Sequence, residues 1–159
     1  MKNKHMKNQY IDIDNAREDE QRAVMQNIIK AGHCPFCLKN LQKYHTSPFL
    51  KETKNWLLTT NRWPYPNTKH HLLAILKTHK EILSELTAQE GTQLIEILAF
   101  AQKHTNAPGG GFAMRFGDTN YSSGTVSHIH AHFIVPDIDA PDFKPTKFKI
   151  GKDKEKRES

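Results

Sequence analysis

The sequence predicts an α+β fold, in which helices pack on one face of an antiparallel sheet. Two apolar runs of strand length, residues 56–60 and 72–76, are separated by a short loop. An amphipathic helix then begins near Thr87, and a strand with alternating apolar residues spans 125–135. Strands joined by short connections pair antiparallel, and the helices between them cover the sheet.

The first half of the chain contains one predicted helix and two predicted strands. Residues 17–30 begin with acidic side chains and end near Gly32, which is typical of a helix. Residues 56–60 form the first strand, and the loop at 61–68 contains two prolines. Residues 72–76 are continuously apolar, so we expect this strand to be buried on both faces.

The second predicted helix has the clearest start signal in the chain. Thr87 and Glu90 stand in the spacing of a capping box. Apolar side chains follow at helical spacing, at Leu94, Ile97, Leu98 and Ala101. A strand at 112–116, a loop of small residues at 118–124 and the strand at 125–135 complete the pattern.

The length of 159 residues, with 36% hydrophobic and 25% charged residues, predicts one globular domain and excludes a disordered chain. We expect a polar and helical extension at 1–30, a central domain at 31–140 and a flexible tail at 141–159. The net charge of +6 favours an anionic partner such as a nucleotide, a nucleic acid or a membrane surface.

Much of this charge lies in one basic segment, residues 144–157, which we expect to be solvated. Its cations are Lys144, Lys147, Lys149, Lys152, Lys154, Lys156 and Arg157. The chain shows no signal-peptide pattern and no apolar stretch of membrane-spanning length. We therefore expect a soluble, cytoplasmic protein that does not bind membranes.

The only two cysteines, Cys34 and Cys37, stand in a Cys-x-x-Cys turn. A disulfide scaffold would need more cysteines, spread along the chain. The turn is compatible with a redox motif or with a zinc site. A helix is predicted before the pair, where a thioredoxin-like motif would have a strand, and this favours zinc.

The strongest functional signal is the alternating row of His128, His130 and His132. Alternate side chains of a strand share a face, so the three imidazoles lie together while Ile129 and Ala131 pack into the core. Such a row could be a metal site, a set of structural histidines or a nucleophile with helpers. Strict alternation after a Gly/Ser/Thr-rich loop argues against purely structural histidines.

This pattern resembles the histidine-triad superfamily over roughly residues 33–137. The resemblance includes the triad, the cysteine pair, the Asn61-Arg62…Pro64 loop, a histidine before an apolar strand and another just after that strand. It implies that His130 attacks the α-phosphorus of a nucleotide and forms a covalent nucleotidyl-histidine. It also implies that His132 binds a phosphate oxygen or, when protonated, assists the leaving group.

Further roles follow from the same resemblance. His71 matches a histidine on the phosphate side, with His70 as the rival for that role. Asn61 matches a position at the nucleoside end, Thr125 matches one that bonds the α-phosphate, and Gly124 belongs to a loop whose amides can bind phosphate. Two positions depart from the better-known members, which commonly have Asn or Gln in place of Gly117 and a proline in place of Leu76.

The zinc-containing branch of the superfamily implies a structural Cys₂His₂ zinc site. Its ligands would be Cys34, Cys37, His79 and His128, with His33 as a rival ligand. Small members of the superfamily commonly form homodimers through a helix and a strand edge. The strand at 112–116 is the candidate edge.

The resemblance predicts a nucleotide hydrolase acting on dinucleoside polyphosphates or nucleoside phosphoramidates. His132 replaces the Gln of the uridylyltransferase-type branch, and this favours hydrolysis. The alternatives are a phosphorylase or nucleotidyltransferase, and a non-catalytic module that binds nucleotides, or nucleic acid through the basic segment. Nucleic acid is the less favoured partner.

Overall fold

The computed structural model describes residues 10–157. The helices are α1 (Asp19–Ala31), α2 (Leu38–Tyr44), α3 (Ala88–Thr105), α4 (Thr119–Ser122) and α5 (Lys154–Arg157). The strands are β1 (Phe49–Glu52), β2 (Trp56–Thr60), β3 (Thr68–Leu76), β4 (Gly111–Met114) and β5 (His130–Pro136). Residues 1–9 of the predicted extension and the last two residues of the predicted tail lie outside the described part.

The five strands form one antiparallel sheet in the order β1-β2-β3-β5-β4. The apolar strand β3 lies at the centre, where it pairs with β2 and β5. Ile75 faces His130 across one of these pairings, and Leu73 faces His132. The predicted α+β class is therefore confirmed, and the histidine row lies beside the central strand.

Helix α3 packs on one face of the sheet. Its residues Leu94, Ile97 and Leu98 share a buried cluster with Trp56 and Ile129. The predicted capping box is present: the Thr87 hydroxyl accepts from the Glu90 amide at 3.2 Å, and the Glu90 carboxylate accepts from the Thr87 amide at 2.8 Å. This box fixes where α3 begins.

The opposite face of the sheet is also partly covered, by the short helix α2. Leu41 of α2 packs against Leu57, Leu73 and Ile75, whose side chains point away from α3. The physical reason is the continuous apolar sequence of β2 and β3, since alternate side chains of such strands leave hydrophobic surface on both faces.

The N-terminal arm, residues 10–37, packs beside the segment that leads into β5. Ile11 forms an isolated bridge with Val126, and both belong to a buried cluster with Met25 and Ile28 of α1. Helix α1 ends at Ala31 and is followed by Gly32, whose φ of 72° is a left-handed conformation that glycine adopts readily. The arm is thus attached to the histidine strand.

The basic segment returns to this arm. Lys152 is buried, and its ammonium group lies 3.1 and 3.2 Å from the Asp12 carboxylate oxygens and 3.2 Å from Asp14. The expectation of a solvated segment does not describe this lysine, because a buried charge has to be paired. The proposed domain boundaries remain a prediction. Within residues 10–157, no helix is both long and apolar enough to cross a membrane.

Candidate functional site

The three histidines of the row lie on the sheet face opposite α3. Ile129 and Ala131, between them in sequence, pack into the α3 core as expected. His130 and His132 belong to β5, whereas His128 precedes the strand. All three imidazoles are buried. Their hydrogen bonds differ, and these bonds determine what each ring can do.

The His130 ring is held as a neutral imidazole. Its Nδ1 lies 2.7 Å from the carbonyl oxygen of His128. A carbonyl oxygen only accepts, so Nδ1 carries the proton and Nε2 keeps its lone pair. Burial lowers the pKa of His130 to about 4, which keeps the ring neutral at pH 7.

His71 and His132 form a short chain of hydrogen bonds. The Tyr65 amide donates to His71 Nδ1 at 3.0 Å, so the proton of neutral His71 is on Nε2. This Nε2 lies 2.8 Å from His132 Nδ1, which accepts and leaves the proton of His132 on Nε2. His71, rather than its rival His70, therefore contacts the row.

Both members of this chain are neutral at pH 7. Burial lowers the pKa of His71 to about 3, and it holds the pKa of His132 well below its usual range. Nearby cations, including Arg115, lower both values further. His132 is thus suited to donate a hydrogen bond from Nε2, and assistance to the leaving group by a protonated His132 stays a prediction.

A cleft of about 560 Å³ opens in front of His130 and His132. Seven cationic side chains line it: Arg17, Arg22, Arg62, Arg115, Lys147, Lys149 and Lys156. Among the described residues, no Asp or Glu lines the cleft. This arrangement produces a positive potential, which attracts anionic ligands.

The residues predicted to bind phosphate and nucleoside, Asn61, Gly124 and Thr125, all line this cleft. The Gly124 amide already donates to the Ser122 hydroxyl at 3.1 Å, so Thr125 is the better placed of the two loop residues. The Asn61 amide nitrogen lies 3.2 Å from His71 Nε2. The three positions are therefore brought together with the histidine row.

Sequence reasoning assigned no role to Arg115. Its guanidinium donates to the Lys149 carbonyl at 2.7 and 3.2 Å and to the Tyr65 hydroxyl at 2.8 Å. It also stacks on Phe148, 3.8 Å from the ring centre. No local pattern indicates this contact, because Arg115 and Lys149 are 34 positions apart in the chain.

Cys34, Cys37, His79 and His128 form a second cluster, in which all four ligand atoms lie within 4.8 Å of one another. The Cys34 sulfur is 3.3 Å from His128 Nδ1, and the Cys37 sulfur is 3.4 Å from His79 Nδ1. The two Nδ1 atoms are 3.1 Å apart. The edges of a tetrahedral zinc site with sulfur and nitrogen ligands are about 3.3–3.8 Å, so this donor set fits zinc.

Hydrogen bonds outside the cluster orient its imidazoles. His128 Nε2 lies 2.6 Å from the Leu76 carbonyl oxygen, and His79 Nε2 lies 3.0 Å from a Glu81 carboxylate oxygen. Both Nδ1 lone pairs are thereby directed at the thiols, as metal ligation requires. The rival ligand His33 stacks on Tyr44 and is not part of the cluster.

Burial raises the pKa of the Cys34 thiol to about 12. A thiolate at this position therefore needs a nearby cation, and zinc would provide it. Both cysteines are free, so the Cys-x-x-Cys turn contains no disulfide. The position of both thiols beside His79 and His128 agrees with the zinc interpretation of the motif.

No family model and no curated protein matches this chain. Solved structures do. A hypothetical protein from Leishmania major is 26% identical, with a TM-score of 0.57 over 77% of this chain and 83% of that one. A histidine triad nucleotide-binding protein from Candida albicans is 21% identical, with a TM-score of 0.57 over 79% and 90% of the two chains.

A third structure is a zinc-bound histidine triad family protein from Mycobacterium smegmatis. It is 24% identical, with a TM-score of 0.52 over 72% of this chain and 81% of that one. Identities in this range establish the fold rather than the activity. The chain thus has the fold of the histidine-triad proteins, as its His-x-His-x-His motif predicts.

Proposed function

We propose that the protein binds a nucleotide in the cationic cleft and cleaves it at the α-phosphate, through a covalent nucleotidyl intermediate on His130. The observation that carries this proposal is the hydrogen bond from His130 Nδ1 to the His128 carbonyl, 2.7 Å long. It leaves a neutral imidazole with its Nε2 lone pair available beside the cleft. The seven lining cations support an anionic substrate.

The reaction would proceed in two displacements. The Nε2 lone pair of His130 forms a bond to the α-phosphorus, and the bond to the leaving group breaks with its electron pair. Water then attacks the same phosphorus, the phosphorus–nitrogen bond breaks, and a proton is released to solvent. His132 would donate a hydrogen bond from its Nε2–H group to a phosphate oxygen. Negative charge on this oxygen increases in each transition state.

The cleft favours a leaving group that departs as an anion. His132 is neutral, and no carboxylic acid lines the cleft within residues 10–157. A phosphate leaving group needs no proton at neutral pH, whereas the amine of a phosphoramidate does. Of the two substrate classes, we therefore propose dinucleoside polyphosphates.

Water is the proposed acceptor, with inorganic phosphate as the alternative. Turnover in the presence of labelled phosphate separates the two. We expect unlabelled products only. A nucleoside diphosphate that carries the label would show phosphorolysis and would contradict simple hydrolysis.

The test of the reaction is a panel of dinucleoside polyphosphates and nucleoside phosphoramidates with product identification. Turnover by the native protein, combined with a nucleotide adduct on His130 after a quench without acid, would support the covalent mechanism. His70→Ala is the matched control, because His70 is adjacent to His71 but points to the other face of β3. Full turnover by His130→Ala would contradict the proposal.

We further propose that the Cys₂His₂ cluster binds one structural zinc ion. Cys34, Cys37, His79 and His128 would hold it, and the four ligands leave no open position for water. Zinc would connect the two cysteines of the N-terminal arm to His128, whose carbonyl orients His130. Its contribution is therefore to stability and positioning.

We also propose that the chain forms a homodimer through the sheet edge at β4. This strand is the last of the sheet, and Phe112 on it is 56% exposed. An uncovered strand edge is commonly covered by a partner subunit. Light scattering at micromolar concentration should give twice the mass of the chain, and a monomeric mass would contradict this proposal.

The alternative of a nucleic-acid-binding tail stays a prediction, and several of its cations already have other contacts. Lys147 and Lys149 line the cleft, and Lys152 is buried against the N-terminal arm. A truncation ending at Pro141 would remove the lysines of the basic segment that line the cleft, together with the other cations of that segment. Turnover and nucleic-acid binding are therefore not separable by that truncation, and point variants are the appropriate test.

A further inference from the structure

We propose that Arg115 and His132 together form a binding site for one non-bridging oxygen of the substrate phosphate. This inference rests on the proposed function and adds to it a residue outside the histidine motif. In this site the basic segment is a structural support, because it positions the Arg115 guanidinium.

The first argument is a pair of donors that face each other. Arg115 Nη1 lies 3.5 Å from His132 Nε2. A guanidinium has no acceptor, and His132 Nε2 carries a hydrogen because its Nδ1 accepts from His71. Two donors so close to each other are satisfied when both bind the same acceptor. An anionic oxygen from a ligand in the cleft supplies that acceptor.

The second argument is the hydrogen count at Nη1. This nitrogen has two hydrogens, and the Tyr65 hydroxyl accepts one of them at 2.8 Å. The Nε and Nη2 groups donate to the Lys149 carbonyl. One Nη1 hydrogen therefore remains on the side of His132, where the reacting phosphate would lie.

The third argument is charge. Within the described residues, the partners of the Arg115 guanidinium are a carbonyl, a hydroxyl and a ring, all of them neutral. Among residues 10–157, no carboxylate forms an ion pair with it. Arg62, which lines the same cleft, is instead paired with Glu20. Arg115 thus keeps its full positive charge for an anion, whereas the charge of Arg62 is compensated.

The fourth argument is rigidity. Ala113 faces His132 across the β4–β5 pairing, and Arg115 follows two residues later on the same side. Phe148 packs against both partners: its ring centre is 3.8 Å from the guanidinium and 5.2 Å from the His132 ring. Tyr65 stacks on His132 at 5.5 Å. Both donors are therefore oriented before any ligand binds.

The experiment measures binding rather than turnover, by calorimetry with adenosine monophosphate and with adenosine. Arg115→Met should weaken binding of the monophosphate by about 10- to 100-fold, because a charged hydrogen bond is lost. It should change binding of adenosine less than about 2-fold, because the nucleoside lacks the phosphate. Arg115→Lys, which keeps the charge but loses the planar fork, should fall between native protein and Arg115→Met.

Lys103→Met is the matched control, since it removes an exposed cation of α3 that does not line the cleft. We expect less than about 2-fold weakening of monophosphate binding. Circular dichroism and adenosine binding report whether each variant is folded. Equal losses in Lys103→Met and Arg115→Met would show a general charge effect and would overturn the inference.

A second measurement tests contact with one specific oxygen. The two diastereomers of adenosine 5′-O-(1-thiotriphosphate) place sulfur, a weak acceptor, at one or the other non-bridging position. Native protein should bind one diastereomer more tightly, and Arg115→Met should lose most of this preference. No preference in the native protein, or an unchanged preference in the variant, would overturn the inference.

The outcomes separate the two proposals. If native protein binds neither the monophosphate nor the thiotriphosphates, the proposed function fails and the oxygen site fails with it. If native protein binds the monophosphate and Arg115→Met binds it equally well, only the oxygen site fails.

Discussion

His128 and His130 are two residues apart in sequence, yet their rings are held in opposite ways. His128 donates Nε2–H to the Leu76 carbonyl and presents Nδ1 to the two cysteines. His130 donates Nδ1–H to the His128 carbonyl and presents Nε2 to the cleft. One ring completes a cluster of metal-ligand type, and the other keeps a free Nε2 lone pair beside the cleft.

The comparison shows that backbone carbonyls, rather than residue type, assign the roles in this row. A neutral imidazole has one donor and one acceptor, so a hydrogen bond to one nitrogen determines the chemistry of the other. The two sites are also mechanically linked, because the carbonyl that orients His130 belongs to His128. Variants that affect one site and preserve the other test this division directly.

The largest expected effect is on turnover by His130→Ala. Loss of the proposed nucleophile should reduce kcat by at least about 10⁴-fold, while nucleotide binding stays within about tenfold. Zinc content and melting temperature should match those of the native protein, since His130 is not in the Cys₂His₂ cluster. Steady-state kinetics, calorimetry and elemental analysis measure these quantities. A variant that loses zinc along with activity would contradict the separation of the two sites.

The next effect is on stability in Cys34→Ser. Native protein should contain about one zinc per chain, and the variant should lose most of it. Metal ligation brings distant parts of the chain together, so we expect the melting temperature to fall by about 10 °C. Elemental analysis and thermal denaturation measure the two effects.

His128→Ala should resemble Cys34→Ser in zinc content and stability, and His33→Ala should resemble the native protein. Retention of zinc by His128→Ala with loss by His33→Ala would identify His33 as the ligand. Metal-free native protein with unaltered stability would remove the zinc proposal altogether.

A smaller effect is expected for the hydrogen-bond chain behind His132. His71→Ala removes the donor that fixes the His132 proton on Nε2, so kcat should fall by about 10- to 100-fold. His70→Ala should leave kcat within about twofold, because its side chain points to the other face. Equal losses in both variants would indicate general damage to β3.

The smallest effect concerns the pH dependence of stability. Burial lowers the pKa of His71 to about 3, whereas an unfolded histidine titrates near 6.5. The unfolded chain therefore binds more protons than the folded one between these values, and the free energy of unfolding falls as the pH falls. From pH 7 to pH 5, His71 should account for about 2 kcal/mol of this fall.

Urea denaturation at the two pH values measures this change. The variant His71→Asn should show a weaker pH dependence than the native protein, because the titrating ring is absent. An equal pH dependence in both proteins would show that His71 does not stay neutral in the folded state.

Strong local patterns made much of the fold predictable. Strand β2 coincides with the predicted 56–60, and the Thr87–Glu90 box marks the start of α3. The alternation of the histidine row correctly predicted which side chains enter the α3 core. In each case, the signal lies within a few neighbouring residues.

The features that were not predicted lack a local signal. Strand β1 is short and largely exposed, and the Cys37 side chain does not cap α2. The contacts of Arg115 with Phe148 and Lys149 depend on a return of the chain that no spacing indicates. Sequence reasoning therefore predicted the histidine row, but it did not predict that Arg115 and Lys149 line the same cleft.

The buried pair of Lys152 and Asp12 has a consequence for folding kinetics. Its two residues are 140 positions apart, so the pair closes one of the longest loops in the chain. Such contacts form late, because the entropy of loop closure must be lost before they add stability. Lys152→Met should therefore accelerate unfolding and leave the folding rate almost unchanged. The side of the cleft that Lys147, Lys149 and Lys156 form would then assemble late and open early.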